Sequence, residues 1–342
     1  MPQRLLDREP VVSVDRLLAY LVPPPRFDAV RFSTYRPDPN QPSQTAALAA
    51  LEVFAFRLQA PEPRRFRFFA AAPPEHRPGI YLDGGYGVGK THLLASLWHA
   101  SPVRAAFGTF VEYTNLVGAL GFASAVDALA QFGLVCIDEF ELDDPGDTVL
   151  MSSLLARLVE RGVKLAATSN TLPDRLGEGR FAAEDFLREI QGLSARFDVL
   201  RIDGDDFRHR GMPEPPTPLT PDELTAAVAA DDTATLDTFA DVLALLRHVH
   251  PSRYGALVDG VGTVFISDVC TLSDQSAALR LVVLADRLYD RDVPVVTSGV
   301  PLDQLFASEL LTGGYRKKYK RAISRLTALA REGAGETERG LG

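Results

Sequence analysis

A glycine-rich segment that ends in a lysine and a threonine is the clearest chemical feature of this 342-residue sequence. It matches the pattern G-x-x-x-x-G-K-[ST] in full, through Gly84, Gly85, Tyr86, Gly87, Val88, Gly89, Lys90 and Thr91, with His92 next. Such glycines let backbone N–H groups wrap a phosphate at the positive end of the following helix. Lys90 would supply charge to the β- and γ-phosphates, and the Thr91 hydroxyl would ligate Mg²⁺. These nine residues therefore predict an ATP site.

Two carboxylates follow a strongly apolar run further along the chain. Residues 134–137 predict a buried parallel strand, and Asp138 and Glu139 come directly after it. Ligands of open α/β sheets bind at the carboxyl ends of parallel strands. Asp138 would hold the Mg²⁺ through water, and Glu139 would orient and deprotonate the attacking water. An apolar run ending in Asp-Glu is common and indicates little by itself. In combination with the upstream glycine loop it is a strong indication of a nucleotide site.

Another apolar run, residues 164–168, is followed by Ser169 and Asn170. Asn170 would either position the hydrolytic water beside the γ-phosphate or cap a helix or turn. The order of glycine loop, acidic strand and asparagine strand matches the AAA+ pattern, and this order favours the first interpretation.

The elements that must position these residues alternate between strand and helix. Strands are predicted at 80–82, 109–113, 134–137, 165–168 and 199–202, with helices at 91–98 and 150–160. This alternation predicts an α/β fold, a P-loop NTPase of the AAA+ type with a doubly wound, mainly parallel sheet. A second domain of mixed helical and βαβ character follows, with helices at 222–230, 235–249 and 276–289, strands at 264–266 and 295–296, and a basic helix from Arg316.

Proline-rich segments divide the chain. We predict an N-terminal helical, proline-rich segment (1–75), an ATPase core (76–210), a stiff linker (211–218) and a C-terminal α/β domain with a basic helical tail (219–342).

The C-terminal half contains an echo of the acidic strand. A shift of 129 residues places Glu139 on Asp268 and Thr168-Ser169 on Thr297-Ser298 without gaps. Any two βαβ units resemble each other to some degree, and this is the simpler explanation of the echo. Because no glycine loop precedes the second copy, we do not expect it to hydrolyse nucleotide by itself.

The sequence resembles the ZapE cell-division ATPases of bacteria and their mitochondrial relatives, a branch of the AAA+ proteins. The resembling stretches cover most of the chain: 35–38 with Gln44, 79–94, 135–140, 168–170, 186–187, 198–199 with Asp206 and Arg208, 265–269, 288–290 and 324–326. Many ATPases share the glycine loop, whereas the C-terminal strings are more particular to this family. The resemblance implies Mg²⁺-dependent hydrolysis of ATP, assembly into a homo-oligomer, and a protein partner in cell division, through the FtsZ ring. Composition and spacing do not show that role.

The sequence departs from the family pattern in two places. Residues 110–120 replace a segment that usually carries His and Arg. The family's Gly-Leu-x-Arg pattern before its Phe-Leu pair (here Phe186-Leu187) appears as Gly179-Arg180, displaced by a few residues. Arg180 and Arg188 are both candidates for an arginine that reaches a neighbour's γ-phosphate, or they are surface charges. Arg280 and Arg325 are weaker candidates for a contact in cis.

Composition narrows the function classes. A net charge of −9 and a pI near 5.3 argue against broad nucleic-acid binding. Two isolated cysteines, charges near the start and no run of about 18 apolar residues predict a reduced, cytoplasmic protein.

The basic run 316–321 is most simply an exposed helix face; an acidic partner, lipid head groups at a membrane surface and single-stranded nucleic acid are the alternatives. His248 and His250 have no carboxylate or cysteine at ligand spacing and are interpreted as turn residues.

Two other functions fit the same motifs. One is a nucleic-acid-linked AAA+ protein of the helicase-loader kind, which single-stranded DNA would stimulate. The other is a nucleotide-gated binding module whose hydrolysis is slow.

Overall fold

A computed structural model describes residues 3–10, 13–58, 77–85, 87–142, 145–173, 176, 187–204, 214–229 and 231–340. The chain divides into two units. We call residues 14–23 and 27–210 the glycine-loop unit, and residues 1–13, 24–26 and 211–342 the C-terminal unit. The N-terminal part differs from the predicted separate segment because its apolar side chains are distributed between two cores. Leu51 is fully buried in the glycine-loop unit, and Leu5 is buried in the C-terminal unit.

The glycine-loop unit has an all-parallel sheet with strand order β2-β3-β4-β1-β5. Its elements in chain order are α1 (Val14–Ala19), α2 (Pro42–Arg57), β1 (Gly79–Gly84), α3 (Lys90–Ala100), β2 (Ala105–Thr109), α4 (Phe110–Leu120), α5 (Phe122–Leu129), β3 (Leu134–Asp138), α6 (Pro145–Glu160), β4 (Lys164–Ser169), α7 (Leu187–Ser194) and β5 (Phe197–Ile202). This arrangement confirms the predicted α/β fold with a mainly parallel sheet.

Both faces of the interior strand β3 are buried, and the period-two alternation of its side chains divides them between two cores. On β3, Val135 and Ile137 enter one apolar cluster, whereas Leu134 and Cys136 enter the other. Burial on both sides explains why the strand sequence is a continuous apolar run. The polar residue of β3, Asp138, consequently lies at the end of the strand.

The predicted strand at 109–113 is wrong. The strand there ends at Thr109, and Phe110 begins α4. Thr109 and Glu112 form a capping box: the Thr109 hydroxyl accepts from the Glu112 amide at 3.3 Å, and the Glu112 carboxylate accepts from the Thr109 amide at 2.7 Å. The Thr-x-x-Glu spacing is a helix-start signal that the aromatic and β-branched character of 109–113 obscured.

The C-terminal unit contains a three-stranded parallel sheet with order β6-β7-β8. Its elements are α8 (Pro221–Val228), β6 (Thr235–Thr238), α9 (Phe239–His248), α10 (Tyr254–Val258), β7 (Val264–Val269), α11 (Gln275–Asp290), β8 (Val295–Gly299), α12 (Ser308–Thr312) and α13 (Arg316–Gly340). The predicted helix at 235–249 is wrong over its first four residues. They form β6, and Thr238 caps α9 by accepting from the Asp241 amide at 3.1 Å.

The N-terminal residues complete this second sheet. Gln3 bridges Thr235 in parallel, and the carbonyl of Gln3 accepts from the Leu236 amide at 2.9 Å. Asp237 is 2% exposed, and its carboxylate accepts from the Leu5 amide at 2.8 Å and from the Arg4 guanidinium at 3.3 Å. Residues 3–5 are therefore an integral part of the C-terminal unit.

The strands β2-β3-β4 of the first sheet and β6-β7-β8 of the second follow the same order, and the first two strands of each triplet share one register. Ala106 pairs with Val135 in the glycine-loop unit, and Thr235 pairs with Val264 in the other, a shift of 129 in both strands. The third strand of each sheet is offset by one more residue, since Cys136 faces Ala166 whereas Phe265 faces Val296. The sequence echo thus corresponds to a repeated three-stranded frame.

Candidate active site

The glycine loop connects β1 to α3 at the carboxyl edge of the sheet. Gly87 and Gly89 have φ values of 79° and 85°, a region that glycine enters without strain. Gly89 also has no room for a side chain, since an added Cβ would lie 2.6 Å from the ring of Tyr35. The loop therefore packs directly against the Tyr35 ring at this position. Tyr86 lies outside the described residues.

Lys90 places its ammonium group inside this loop. Its Nζ donates to the carbonyl oxygens of Gly84 and Gly85 at 2.9 and 2.6 Å, and to Oδ1 of Asn170 at 2.9 Å. Asn170 follows the end of β4, the strand that pairs with β1. The parallel sheet therefore brings together two predicted residues that are 80 positions apart in the chain.

Thr91 and Asp138 also meet at this edge. The Thr91 hydroxyl lies 3.1 and 3.0 Å from the two carboxylate oxygens of Asp138. Asp138 is 7% exposed at the end of β3. A hydroxyl and a carboxylate side by side are the hard oxygen donors that Mg²⁺ accepts together with phosphate oxygens and water. The donor set therefore fits this ion.

Glu139 follows Asp138 with a left-handed backbone, φ 53°. Its amide donates to the Thr168 hydroxyl at 3.1 Å, and the same hydroxyl donates to Asp138 Oδ1. Glu139 is half-buried. Cys136 lies two residues before Asp138. Burial raises the pKa of its thiol, and the nearby Asp138 raises it further. That thiol therefore stays protonated, and its side chain packs in the apolar core.

Tyr35 is a site residue to which the sequence analysis assigned no role. Its hydroxyl donates to the carbonyl of Val88, inside the glycine loop, at 2.9 Å, and its side chain is 7% exposed. Burial raises the pKa of this phenol, so it remains a donor. The neighbouring Thr34 hydroxyl lies 3.0 Å from Nε2 of His92. The segment before α2 thus braces the loop, and the His92 imidazole contacts that segment.

The candidate arginines have different positions. Arg180 lies outside the described residues, and Arg188 is exposed in the first turn of α7. In the C-terminal unit, Arg280 donates to the Leu246 and Arg247 carbonyls at 2.7 and 3.0 Å. Arg325 donates to Asp286 at 2.5 Å. Burial alone would raise the pKa of Asp286, but Arg321 and Arg325 outweigh it and hold that pKa below its ordinary value.

A glycine loop after β1, an acidic pair at the carboxyl end of β3 and an asparagine after β4, in a sheet ordered β2-β3-β4-β1-β5, define a P-loop ATPase of the AAA+ class. The chain belongs to the AFG1-like ATPase family, whose sequence profile matches residues 11–230 and 220–334. This membership confirms the resemblance drawn from the motifs.

Individual relatives cover different shares of the chain. Cell division protein ZapE of Escherichia coli strain K12 is 26% identical over 359 residues, covering 89% of this chain and 94% of that protein. Lactation elevated protein 1 homolog B of Danio rerio is 28% identical over 42% of this chain and 33% of its own length. Among solved structures, the crystal structure of DnaI matches with a TM-score of 0.43 and 17% identity over 56% of this chain and all of that chain.

Within the part of the chain that the structure describes, every helix is too short or too polar to cross a bilayer.

Proposed function

We propose that this chain is an assembling, Mg²⁺-dependent ATPase that hydrolyses ATP to ADP and phosphate and uses the reaction to act on a protein partner in cell division. The observation that carries the catalytic part is the meeting of Lys90, Thr91, Asp138 and Asn170 at one sheet edge within hydrogen-bond distance. The similarity to ZapE over 89% of the chain supports the division role, with FtsZ as the expected partner by resemblance.

Each residue then has a definite task. The loop amides and the Lys90 ammonium bind the β- and γ-phosphates, and the three contacts of Lys90 Nζ already hold it within the loop. Thr91 and Asp138 would hold the Mg²⁺, which supplies neutralisation of the phosphate charge when bound. Glu139 accepts the proton of the attacking water, and Asn170 orients that water from the neighbouring strand.

ATP hydrolysis by the purified chain over a series of protein concentrations tests the proposal. Wild-type protein should show Mg²⁺-dependent turnover that rises per molecule with concentration, because a trans-acting arginine acts only in an assembly. Lys90→Ala should remove the turnover. Tight ATP binding with negligible turnover at every concentration would instead favour the nucleotide-gated binding module.

The identity of the trans-acting residue is tested by mixing. Arg180→Ala protein added to wild type should lower the activity of the mixture more than simple dilution does, whereas Arg188→Ala protein should act only as a diluent. The reverse result would assign the role to Arg188. Equal dilution by both variants would exclude both residues.

A further inference from the structure

One buried threonine contacts both acids of the candidate active site. Thr168 is the penultimate residue of β4 and is 2% exposed. Its hydroxyl donates to Asp138 Oδ1 and accepts from the Glu139 amide at 3.1 Å. Its carbonyl accepts from the Phe140 amide at 2.7 Å. Three consecutive residues, the last of β3 and the two that follow it, are therefore hydrogen-bonded to a single residue of the neighbouring strand.

The chemistry of a hydroxyl explains why one side chain can make both contacts. A threonine hydroxyl has one donor and two acceptor positions, so donation to a carboxylate and acceptance from an amide occur together. The contact with ionised Asp138 is charge-assisted and therefore the stronger of the two. Glu139 has a left-handed backbone, which costs energy for a residue with a side chain and persists only where neighbours enforce it. The amide contact is one such constraint.

The C-terminal unit repeats one of these contacts without the other. Asp268 occupies the position of Glu139, with φ 57°, and its amide donates to the hydroxyl of Ser298 at 3.1 Å. Ser298 is the penultimate residue of β8 and is 2% exposed. The position of Asp138 is taken by Ser267, whose hydroxyl donates to Asp268 at 3.0 Å. The amide contact thus accompanies the left-handed turn in both units, whereas the aspartate that receives the hydrogen bond of the Thr168 hydroxyl is replaced by Ser267 in the C-terminal unit.

We propose that Thr168 is a positioning residue of the ATPase site, which acts through Asp138 and Glu139 and does not touch the substrate. Its donated hydrogen bond fixes the carboxylate of Asp138 against Thr91, and its accepted bond fixes the direction in which Glu139 leaves the strand. This proposal rests on the proposed ATPase function of the same site. It predicts that the hydroxyl matters for turnover and for Mg²⁺-assisted binding more than for the binding of nucleotide alone.

The test compares Thr168→Val, Thr168→Ala and Thr168→Ser with Ser298→Ala as the matched change in the C-terminal unit. The measurements are kcat and KM for ATP, the affinity for a fluorescent ATP analogue with and without Mg²⁺, and the thermal unfolding midpoint. Thr168→Val and Thr168→Ala should lower kcat about 10- to 100-fold. They should also reduce the gain in affinity that Mg²⁺ brings, with Mg²⁺-free binding within about twofold of wild type. Thr168→Ser should restore both properties.

Ser298→Ala should lower the unfolding midpoint and leave kcat unchanged. Wild-type kcat in both hydroxyl-free variants, or a loss of kcat that parallels an equal loss of Mg²⁺-free binding, would overturn the positioning role. If the wild type itself shows no Lys90-dependent turnover, the ATPase proposal fails. The effect of the Thr168 variants on Mg²⁺-assisted binding then still decides whether Thr168 positions Asp138.

Discussion

The glycine-loop unit and the C-terminal unit place an acidic residue with a left-handed backbone at the same point of a parallel sheet, Glu139 in one and Asp268 in the other. Their surroundings differ on the side where phosphate would lie. In the glycine-loop unit, β1 pairs with β4 over five residues and then opens into the loop. In the C-terminal unit, the corresponding contact is a single parallel bridge from Leu219 to Ser298.

The helix that follows each contact shows the same difference. Gly89 precedes α3 and offers no side-chain cap, and a helix start of this kind suits an anion. In the C-terminal unit, Thr220 precedes α8, and its hydroxyl accepts from the Glu223 amide at 3.3 Å. The Glu223 carboxylate accepts from the Thr220 amide at 2.8 Å, which places a negative charge at this helix end. The strand frame therefore positions the acid, and the segment before the helix decides whether phosphate can bind beside it.

The largest expected effect separates the two acids. Glu139→Gln should lower kcat about 10²- to 10⁴-fold, because the water loses its proton acceptor, while ATP binding persists. Asp268→Asn, the same chemical change in the other unit, should leave steady-state hydrolysis unchanged. A comparable loss in both variants would show that the C-terminal unit takes part in the reaction.

A smaller effect is expected from two buried tyrosines that bond to backbone carbonyls. The Tyr35 hydroxyl donates to Val88 in the glycine loop at 2.9 Å, and the Tyr254 hydroxyl donates to Leu246 in the C-terminal unit at 2.6 Å. One such bond contributes about 1 kcal/mol. Tyr35→Phe should therefore weaken ATP binding about fivefold, whereas Tyr254→Phe should lower the unfolding midpoint only. Calorimetric titration with an ATP analogue measures the affinity of each variant, and thermal unfolding measures the midpoint. Equal affinities in the two variants would contradict a bracing role for Tyr35.

The smallest effect concerns the cap of α8. The Glu223 carboxylate accepts hydrogen bonds from the Thr220 amide and the Thr220 hydroxyl. Both bonds, the amide bond more strongly, lower the pKa of Glu223 below its ordinary 4.5. Because the folded-state pKa is depressed, the stabilisation is present above the ordinary pKa and is lost as pH falls through the lower folded value. Glu223→Ala should slightly lower the unfolding midpoint at pH 7, and its difference from wild type should shrink on acidification below pH 4.5. ATP affinity should not change, and a gain in affinity would mean that α8 can receive phosphate.

The sequence was most informative where a function requires consecutive residues. The complete glycine-loop pattern and the apolar run before Asp138 predicted both the fold class and the partners that meet at the sheet edge. Thr168 and Tyr35 were not assigned roles because their contacts join distant positions: Tyr35 is 53 residues from Val88, and Thr168 is 30 from Asp138. A single hydroxyl residue in a strand does not indicate which distant residue it will hydrogen-bond.

The errors in the secondary structure have a common cause. At residues 109–113 a helix start was interpreted as strand, and at 235–238 a strand was interpreted as helix. In both units a threonine at the end of an edge strand also caps the next helix, Thr109 for α4 and Thr238 for α9. The period-two pattern of the strand and the 3.6-residue pattern of the helix therefore adjoin at a single residue, and the local sequence pattern does not show where one ends and the other begins.

The participation of residues 3–5 in the second sheet has a consequence for dividing the protein. A fragment that begins at the predicted linker, residues 211–218, would have the strand Thr235–Thr238 without the chain that bridges it, and would lack Leu5 from its apolar core. It would also leave the buried Asp237 carboxylate without the Leu5 amide and the Arg4 guanidinium. An uncompensated buried charge is strongly destabilising. The C-terminal half is thus a discontinuous folding unit, whose autonomous folding requires its first residues to be supplied, as a fused or separately added peptide.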